Sequence, residues 1–437
     1  MRTIVYLTIL TLSGVAWGQA AAGDGGFKFD VEQGELVLFQ LAVPDALDLG
    51  GEADTRGVTE ALTGTIVRDL GIAGYFNLVD KASYLADPVK EGMKPKYKDW
   101  FNIGTQGLVK AGYRIAGDKV VVDLRLYSID GSQRVTLPAP YDGPVELPVD
   151  GTKIRYHAHG FVNEVIKHYT KAPGFFLSRL VVVKRVNRGK ELFMVSPDGL
   201  DETQLTKTGG INMLPSLSGG RIYFTSFRNG GAHLFVLSGG KAQPFSQFKG
   251  LNTGATLSPD GRHVAVTLSK DGNPEVYLLE AQTGKVVRRL TNSWGIDTSP
   301  SWSPDGSKIA FVSDRHGSPQ IWVMGADGTG QRRLTFQGNY NQTPDWSPRG
   351  DKIVFTARDE RNVFDLFTVD VNDGTIKRLT QNQGNNEEPS WSPDGRYLAF
   401  TSTRSGESKL YIMTADGRFQ TMVSAGKGQY MTPSWGR

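Results

Sequence analysis

The sequence predicts a two-domain protein in which a small α/β N-terminal domain precedes an all-β six-bladed propeller. A Trp-Ser-Pro-Asp-Gly motif recurs along the second half of the chain. Its copies are separated by the length of a four-stranded propeller blade, roughly 40–45 residues. The region before them alternates strand-like and helix-like patterns. We expect a signal peptide at 1–20, an extended segment at 21–35, the α/β domain at 36–172 and the propeller at 173–437.

The first twenty residues have the pattern of a secretory signal peptide. Arg2 provides a positive start, residues 4–15 are mostly apolar, and the stretch 16–20 then offers small residues at the spacing of a cleavage site. A membrane span needs about 20 apolar residues, so this stretch is too short to be one. We therefore expect export and no membrane span in the mature chain, the alternative being a buried N-terminal strand.

The extended segment at 21–35 is rich in glycine and has an alternating apolar pattern at Phe27, Phe29 and Val31. One interpretation is a terminus that is disordered or weakly docked. The other is a short peptide that adds to the edge of a partner's sheet or to the protein's own surface.

The α/β domain is predicted from alternating elements. A helix capped by Asp54 or Thr55 carries an apolar face, and a longer helix near the end of the domain carries another. The predicted elements, in chain order, are a strand at 36–43, the capped helix with Val58, Ala61, Leu62, Ile66 and Leu70, a strand at 76–79, a helical stretch near Trp100, strands at 108–115 and 120–129, and the long helix with Ile154, Phe161, Val165 and Tyr169.

Each propeller repeat is predicted to contain four strands. The motif Trp ends the first strand, and Ser-Pro-Asp-Gly then forms a turn, because Pro presets φ and Gly tolerates positive φ. A second apolar strand such as 309–312 and a third such as 321–324 follow. Asp-Gly hairpins such as Asp327-Gly328 lead into a more polar fourth strand, as the solvent-facing edge of a blade requires.

Counting the strands indicates that the ring closes with six blades. The motif Trp or its Leu equivalent occurs at 217, 257, 302, 346, 391 and 435, and apolar second strands begin near 180, 222, 264, 309, 353 and 398. The strand at Leu180 has no motif strand before it, and Trp435 has no second strand after it. The last strand must therefore pair into the first blade, which removes the exposed sheet edges.

The loops that enter each motif strand are expected to lie on one face of the ring. They span 250–254, 294–299, 338–343, 384–388 and 428–432, and they are rich in Asn, Gly, Gln and Thr. Loops held by a rigid scaffold are where binding residues concentrate. We therefore expect any binding site on this face.

Composition and motifs predict a protein that is not an enzyme and uses no cofactor or metal. The chain has no cysteine, and its net charge of +4 is dispersed, which excludes a clustered nucleic-acid-binding patch. No Gly-x-Ser-x-Gly elbow, P-loop or dinucleotide fingerprint is present. His157 and His159 point to different faces of a helix, and the repeated turn aspartates such as Asp305 bond nearby backbone, so structural roles are expected for all of them.

Taken together, these features resemble the TolB family, the periplasmic component of the Tol–Pal system of Gram-negative envelopes. The features are the signal peptide, the α/β domain that ends in a long helix, the repeats of Ser-Trp-Ser-Pro-Asp-Gly and Ile-Ala-Phe, and the terminal Trp435. The resemblance implies a monomeric periplasmic adaptor that binds the lipoprotein Pal through the propeller and TolA through the N-terminal segment. It further implies a role in outer-membrane integrity and in invagination during cell division.

The resemblance also implies site residues. Pal contacts are expected in the loops before the blade motifs, at Leu251, Asn252, Gly254, Thr298, Asn341 and Asn385. TolA contacts are expected at Phe27, Lys28, Phe29, Asp30 and Val31. Two alternatives stay open: a propeller subunit of an exported peptidase, against which the missing hydrolase domain counts, and a propeller that binds a glycan or an ion.

Overall fold

A computed structural model of the chain describes residues 38–51, 54–358 and 361–436. The predicted signal peptide, the extended segment and the candidate residues Phe27–Val31 lie outside these ranges. Within them, no helix combines the length and apolar character needed to cross a membrane.

The N-terminal domain is built on one seven-stranded sheet with the order β3-β1-β4-β5-β6, in which β2 also pairs with β4 and β7 with β5. Strand β1 pairs in parallel with β3 and β4, whereas β4 and β5 form a long antiparallel hairpin. The strands are β1 (Phe39–Ala42), β2 (Leu47–Asp48), β3 (Phe76–Leu78), β4 (Gly107–Ala116), β5 (Lys119–Ser128), β6 (Gln133–Arg134) and β7 (Val145–Pro148).

Two helices cover this sheet, as the apolar stripes predict. A π-helical turn, Glu60–Gly64, leads into α1 (Thr65–Ala73), and the long helix is α4 (Gly151–Thr170). The Asp54 carboxylate accepts the backbone N–H groups of Val58 and Thr59 at 2.9 and 2.8 Å, so it satisfies two backbone donors at the start of the first helical segment from a position before the helix. Shorter helical elements are the 3₁₀ turn Lys81–Ser83, α2 (Pro88–Glu91) and α3 (Tyr97–Phe101).

The rest of the chain forms six four-stranded sheets, which confirms the six-bladed propeller. Blade 1 contains β8 (Leu180–Val186), β9 (Gly189–Val195) and β10 (Glu202–Gln204), and its inner strand is the last strand of the chain, β31 (Tyr430–Trp435). Blade 2 contains β11 (Asn212–Ser218), β12 (Arg221–Ser226), β13 (His233–Ser238) and β14 (Lys241–Ser246), and blade 3 contains β15 (Asn252–Leu257), β16 (His263–Leu268), β17 (Glu275–Glu280) and β18 (Val286–Arg289). The remaining strands are β19 (Asp297–Trp302), β20 (Lys308–Ser313), β21 (Gln320–Gly325) and β22 (Arg332–Arg333) in blade 4; β23 (Asn341–Trp346), β24 (Lys352–Arg358), β25 (Phe364–Asp370) and β26 (Ile376–Arg378) in blade 5; and β27 (Asn386–Trp391), β28 (Tyr397–Ser402), β29 (Lys409–Thr414) and β30 (Gln420–Met422) in blade 6.

Closure of the ring follows the predicted route. Strand β31 pairs antiparallel with β8, with Trp435 opposite Leu180. The Ser434 hydroxyl accepts the backbone N–H of Leu217 in blade 2 at 2.9 Å, so the closing strand is also bonded to the next blade. Equivalent bonds join neighbouring inner strands elsewhere, from Trp346 to Ser301 and from Trp391 to Asp345.

The N-terminal domain and the closing blade share one hydrophobic core. Phe175, just after α4, lies 4.2 Å from the Tyr397 ring and 5.4 Å from the Trp435 ring, measured between centroids. Tyr397 of blade 6 also donates a hydrogen bond of 2.9 Å to the Ala73 carbonyl at the end of α1. The two domains are therefore joined at the place where the propeller closes.

We expect Trp435→Ala to lower the free energy of unfolding by about 3–5 kcal/mol, because it empties a large buried site at the closure. The Trp435 side chain is 2% exposed, and its indole N–H donates to the Ser178 hydroxyl at 2.7 Å. Trp294→Ala is the matched control, since Trp294 is 77% exposed and its removal should change stability by less than about 0.5 kcal/mol. Urea unfolding measures both, and equal losses in the two variants would contradict the role given to Trp435.

Candidate functional site

The propeller has two distinct faces. Each inner strand begins beside the end of the second strand of its blade, as in the pairing of Asn252 with Leu268. The connections into the inner strands therefore share a face with those between the second and third strands. We call this the loop face; the connections into its inner strands span 205–211, 247–251, 290–296, 334–340, 379–385 and 423–429. The Ser-Pro-Asp-Gly turns lie on the opposite face, where the N-terminal domain contacts Tyr397 and Asp198.

The loop face carries exposed apolar side chains on blades 2 to 5. Trp294 is 77% exposed and Phe336 is 72% exposed, and the Arg333 guanidinium lies 5.0 Å from the centre of the Phe336 ring. We call the full set the apolar rim: Ile211, Phe227, Leu251, Trp294, Ile296 and Phe336. Large apolar side chains grouped on one face are typical of a protein-binding surface.

The candidate residues predicted from sequence lie on this face or just inside it. Leu251 is 43% exposed and belongs to the apolar rim. Gly254 and Thr298 are partly buried in the inner strands β15 and β19, not in the loops, and the Thr298 hydroxyl lies 3.2 Å from that of Thr267. Asn385 precedes β27, and its side-chain oxygen accepts the Phe364 N–H at 3.1 Å.

Asn252 and Asn341 are buried at the first position of their inner strands, with 0% and 1% exposure. The Asn341 amide donates to Gln320 Oε1 of the preceding blade at 2.9 Å. Asn212 and Asn386 make the same kind of bond to the preceding blade, to Glu191 and Asp365, also at 2.9 Å. The asparagine at this position forms a hydrogen bond between neighbouring blades that recurs around the ring. Because Asn252 and Asn341 are buried, they can affect partner binding only by fixing the loops that precede them.

Cations accompany the apolar rim on the side of blades 1 to 3. The exposed basic residues there include Arg188, Lys207, Arg228, Lys249 and Lys427. On this side Asp271 faces Lys270, with 2.8 Å between carboxylate and ammonium. A partner with acidic groups around apolar anchors would therefore complement this face.

A central channel of about 640 Å³ runs between the inner strands. Each inner strand bulges at the channel wall, where one residue has positive φ: Leu214, Gly254, Ser299, Thr343, Glu388 and Thr432. Burial raises the pKa of Glu388 to about 7, and its carboxylate accepts the Thr432 N–H. Within the described ranges, the one cluster of three side chains able to hold a metal ion lies elsewhere, at Asp69, His159 and Asp198.

Of the apolar rim, only Leu251 is among the contact residues predicted from the sequence. Trp294 lies in the predicted binding loop 294–299 but is not one of the predicted contacts, and Phe336 falls just outside the predicted loop 338–343. The available clue was a large apolar residue inside a polar connection, as in Asn292-Ser293-Trp294-Gly295. Such a residue has no place in a blade core, so it is exposed unless another domain covers it.

Two family profiles together match most of the chain. A profile described as the TolB amino-terminal domain matches residues 27–135, and one described as the TolB beta propeller domain matches residues 166–437. The two matches fall on the two domains of the structure in the same order.

Similar proteins support the same family. A Tol-Pal system protein TolB from Anaeromyxobacter sp. (strain K) is 41% identical over 394 residues, which is 88% of each chain. Another, from Desulfosudis oleivorans, is 36% identical over 267 residues, and that match spans 60% of this chain and 59% of the relative. The crystal structure of TolB from Acinetobacter baumannii superposes with a TM-score of 0.78 at 26% identity, covering 92% of this chain and 97% of that one.

We expect Asn341→Ala to lower the free energy of unfolding by about 1–3 kcal/mol, because it removes the hydrogen bonds that the buried Asn341 amide donates to Gln320, Thr335 and Gln337. Asn292→Ala, at an exposed loop position, is the control and should change stability by less than about 0.5 kcal/mol. Chemical denaturation followed by tryptophan fluorescence measures both. A stability loss in Asn341→Ala no larger than in Asn292→Ala would show that the tie between blades is not stabilising.

Proposed function

Because this chain belongs to the TolB family of the Tol-Pal system, we propose that it is a periplasmic adaptor that binds Pal through the loop face of its propeller and TolA through its N-terminal segment. In this role it supports outer-membrane integrity and invagination during cell division. It acts by binding, with no catalytic step of its own.

The observation that carries the Pal proposal is the apolar rim. Trp is among the residues that contribute most to binding energy at protein interfaces, and Phe is enriched in interface cores. Trp294 and Phe336 are the most exposed members of the rim. They stand on a closed ring of blades, so the backbone loses little conformational freedom when a partner binds. Leu251 lies on the same rim, and Gly254, Thr298 and Asn385 lie beside it near the channel or the next blade.

The exposed side chains of the loop face indicate what the bound surface of Pal should contain. Apolar side chains of Pal should pack around Trp294, and acidic side chains of Pal should face the basic side around Arg228 and Lys249. Because charge attraction between exposed groups is screened by salt, the affinity should decrease as ionic strength rises.

We expect Trp294→Ala to raise the dissociation constant for the soluble domain of the cognate Pal by about tenfold or more, which corresponds to about 1.4 kcal/mol. Isothermal titration calorimetry with purified mature protein measures it. Val287→Ala is the matched control, because Val287 is 53% exposed but lies on the outer strand β18, away from the loop face. The same affinity in Trp294→Ala and the parent protein would contradict the placement of Pal, and no binding by the parent protein at micromolar concentrations would contradict the proposal itself.

The TolA part of the proposal concerns residues 21–31, which include Phe27, Lys28, Phe29, Asp30 and Val31. A short extended peptide with alternating apolar side chains is suited to adding a strand to a partner sheet. Deleting residues 21–31 should abolish capture of the TolA C-terminal domain in a pull-down and leave Pal affinity unchanged. Retained TolA capture by the deletion variant would place the TolA contact elsewhere.

A further inference from the structure

The N-terminal domain carries exposed apolar side chains of its own, on the connection between β3 and β4. Val89 is 75% exposed, Leu85 64% and Phe101 60%. They belong to three short pieces of chain: the stretch before α2, α2 itself and the end of α3. We call residues 85–101 the platform segment, and the proposed function gives it no role.

The pieces of the platform segment meet at the buried side chain of Trp100. The Trp100 ring lies 4.8 Å from the Tyr84 ring, measured between centroids, and its indole N–H donates to the Glu91 carboxylate at 3.1 Å. Leu85 directly follows Tyr84, and Phe101 directly follows Trp100. Exposed apolar side chains therefore flank one buried anchor.

A buried ion pair fixes the platform segment to the sheet. The Glu91 carboxylate and the Lys110 ammonium of β4 are 2.5 Å apart, and both side chains are almost fully buried. Lys110 also donates to the Gly92 carbonyl at 2.6 Å. Residues two apart on a helix point to nearly opposite sides, so Val89 faces solvent because Glu91 faces the sheet. The apolar side chains are consequently held outward by the fold.

Lysines surround these apolar side chains. Lys90 lies 3.2 Å from the Asp87 carboxylate, whereas the other three lysines of the segment form no ion pair within the described ranges. Apart from Asp87 and the buried Glu91, Asp99 is the one acidic residue of the segment, and the segment has no arginine. The outward surface is therefore positively charged by the exposed lysines Lys90, Lys94, Lys96 and Lys98.

This combination of side chains fits a lipid surface better than a protein partner. Protein interfaces are depleted in lysine and enriched in arginine, the reverse of what the platform segment shows. Apolar side chains set among lysines are typical of proteins that lie on a membrane, where the apolar groups enter the headgroup boundary. Lysine suits this boundary because its aliphatic stem lies along apolar surface while its ammonium reaches the phosphates.

We propose that the platform segment docks the N-terminal domain onto a membrane surface that contains anionic phospholipid. Leu85, Val89 and Phe101 enter between the headgroups, and the lysines face the phosphates. Docking is weak and reversible, because few apolar side chains are inserted and salt screens the attraction of the charges. The inference is independent of which protein the loop face binds. Since the N-terminal domain contacts the turn face, docking leaves the loop face open.

Co-sedimentation of the full-length mature protein with vesicles tests the proposal. The protein should bind vesicles of equimolar phosphatidylglycerol and phosphatidylcholine, bind vesicles of phosphatidylcholine alone much less, and lose binding as salt is added. The triple variant Lys94→Gln, Lys96→Gln, Lys98→Gln should lower the partition coefficient on anionic vesicles by about tenfold or more, because each lysine near an anionic surface contributes to binding.

A matched triple variant removes the same charge from the propeller. Its substitutions are at exposed lysines on or beside outer strands: Lys241→Gln, Lys285→Gln and Lys377→Gln. Because these lysines do not face the lipid in the proposed arrangement, the partition coefficient should fall by less than about threefold. Circular dichroism checks that both triple variants are folded.

A fluorescent label gives a readout that does not depend on the lysine variants. The chain has no cysteine, so Phe101→Cys places a nitrobenzoxadiazole label at one known position. Its fluorescence should rise when anionic vesicles are added, because the label enters the headgroup boundary. The control is Val287→Cys, at an exposed position on β18, and its label should not respond.

Four results would overturn the proposal. The first two are no binding of the parent protein to anionic vesicles and equal loss of binding in the two triple variants. The third is an unchanged label at Phe101→Cys while vesicles are bound. The fourth is a label that responds to the soluble domain of Pal or of TolA and not to vesicles, which would assign the surface to a protein partner.

Discussion

Hydrogen bonds between the last strand, β31, and the first propeller strand, β8, hold the ring of blades closed. Without this pairing, the first blade would lack its inner strand and the ring would end in two open sheet edges. Closure fixes the angular position of every blade. The connections of the loop face are consequently presented at fixed separations, although each is short and has little regular structure of its own. Binding surfaces on a propeller depend on this rigidity more than on the loops themselves.

The N-terminal domain is attached at the same point of closure. Phe175 packs between Tyr397 of blade 6 and Trp435 of the closing strand, and α1 and α4 lie against the turn that carries Asp198. The joint is therefore on the turn face, whereas the apolar rim is on the opposite loop face. This separation leaves the loop face clear of the N-terminal domain, as the proposed adaptor role requires.

Most of the fold could be predicted from the sequence because its signals are repeated or long. Six copies of the motif strand, three of them followed by a complete Ser-Pro-Asp-Gly turn, identify the blades, and two apolar runs joined by Gly117-Asp118 identify β4 and β5. Strands β2 and β6 could not be predicted, because two residues show no periodicity. The site was harder to predict. Asn252 and Asn341 resemble loop residues in sequence but are buried and hydrogen-bonded between blades, and His159 bonds to Asp69, which lies 90 residues earlier in the chain. Long-range pairings of this kind are determined by tertiary packing, which no local pattern encodes.

The central claim is that the loop face, with its apolar rim, is the surface that receives Pal. Photo-crosslinking tests it most directly, with p-benzoylphenylalanine placed at Trp294 or Phe336 on the loop face, and at Asp260 or Asp305 in the turns of the opposite face. The account predicts crosslinks to the Pal domain from Trp294 and Phe336 and none from Asp260 and Asp305. Crosslinks from the turn face, with none from the apolar rim, would contradict it.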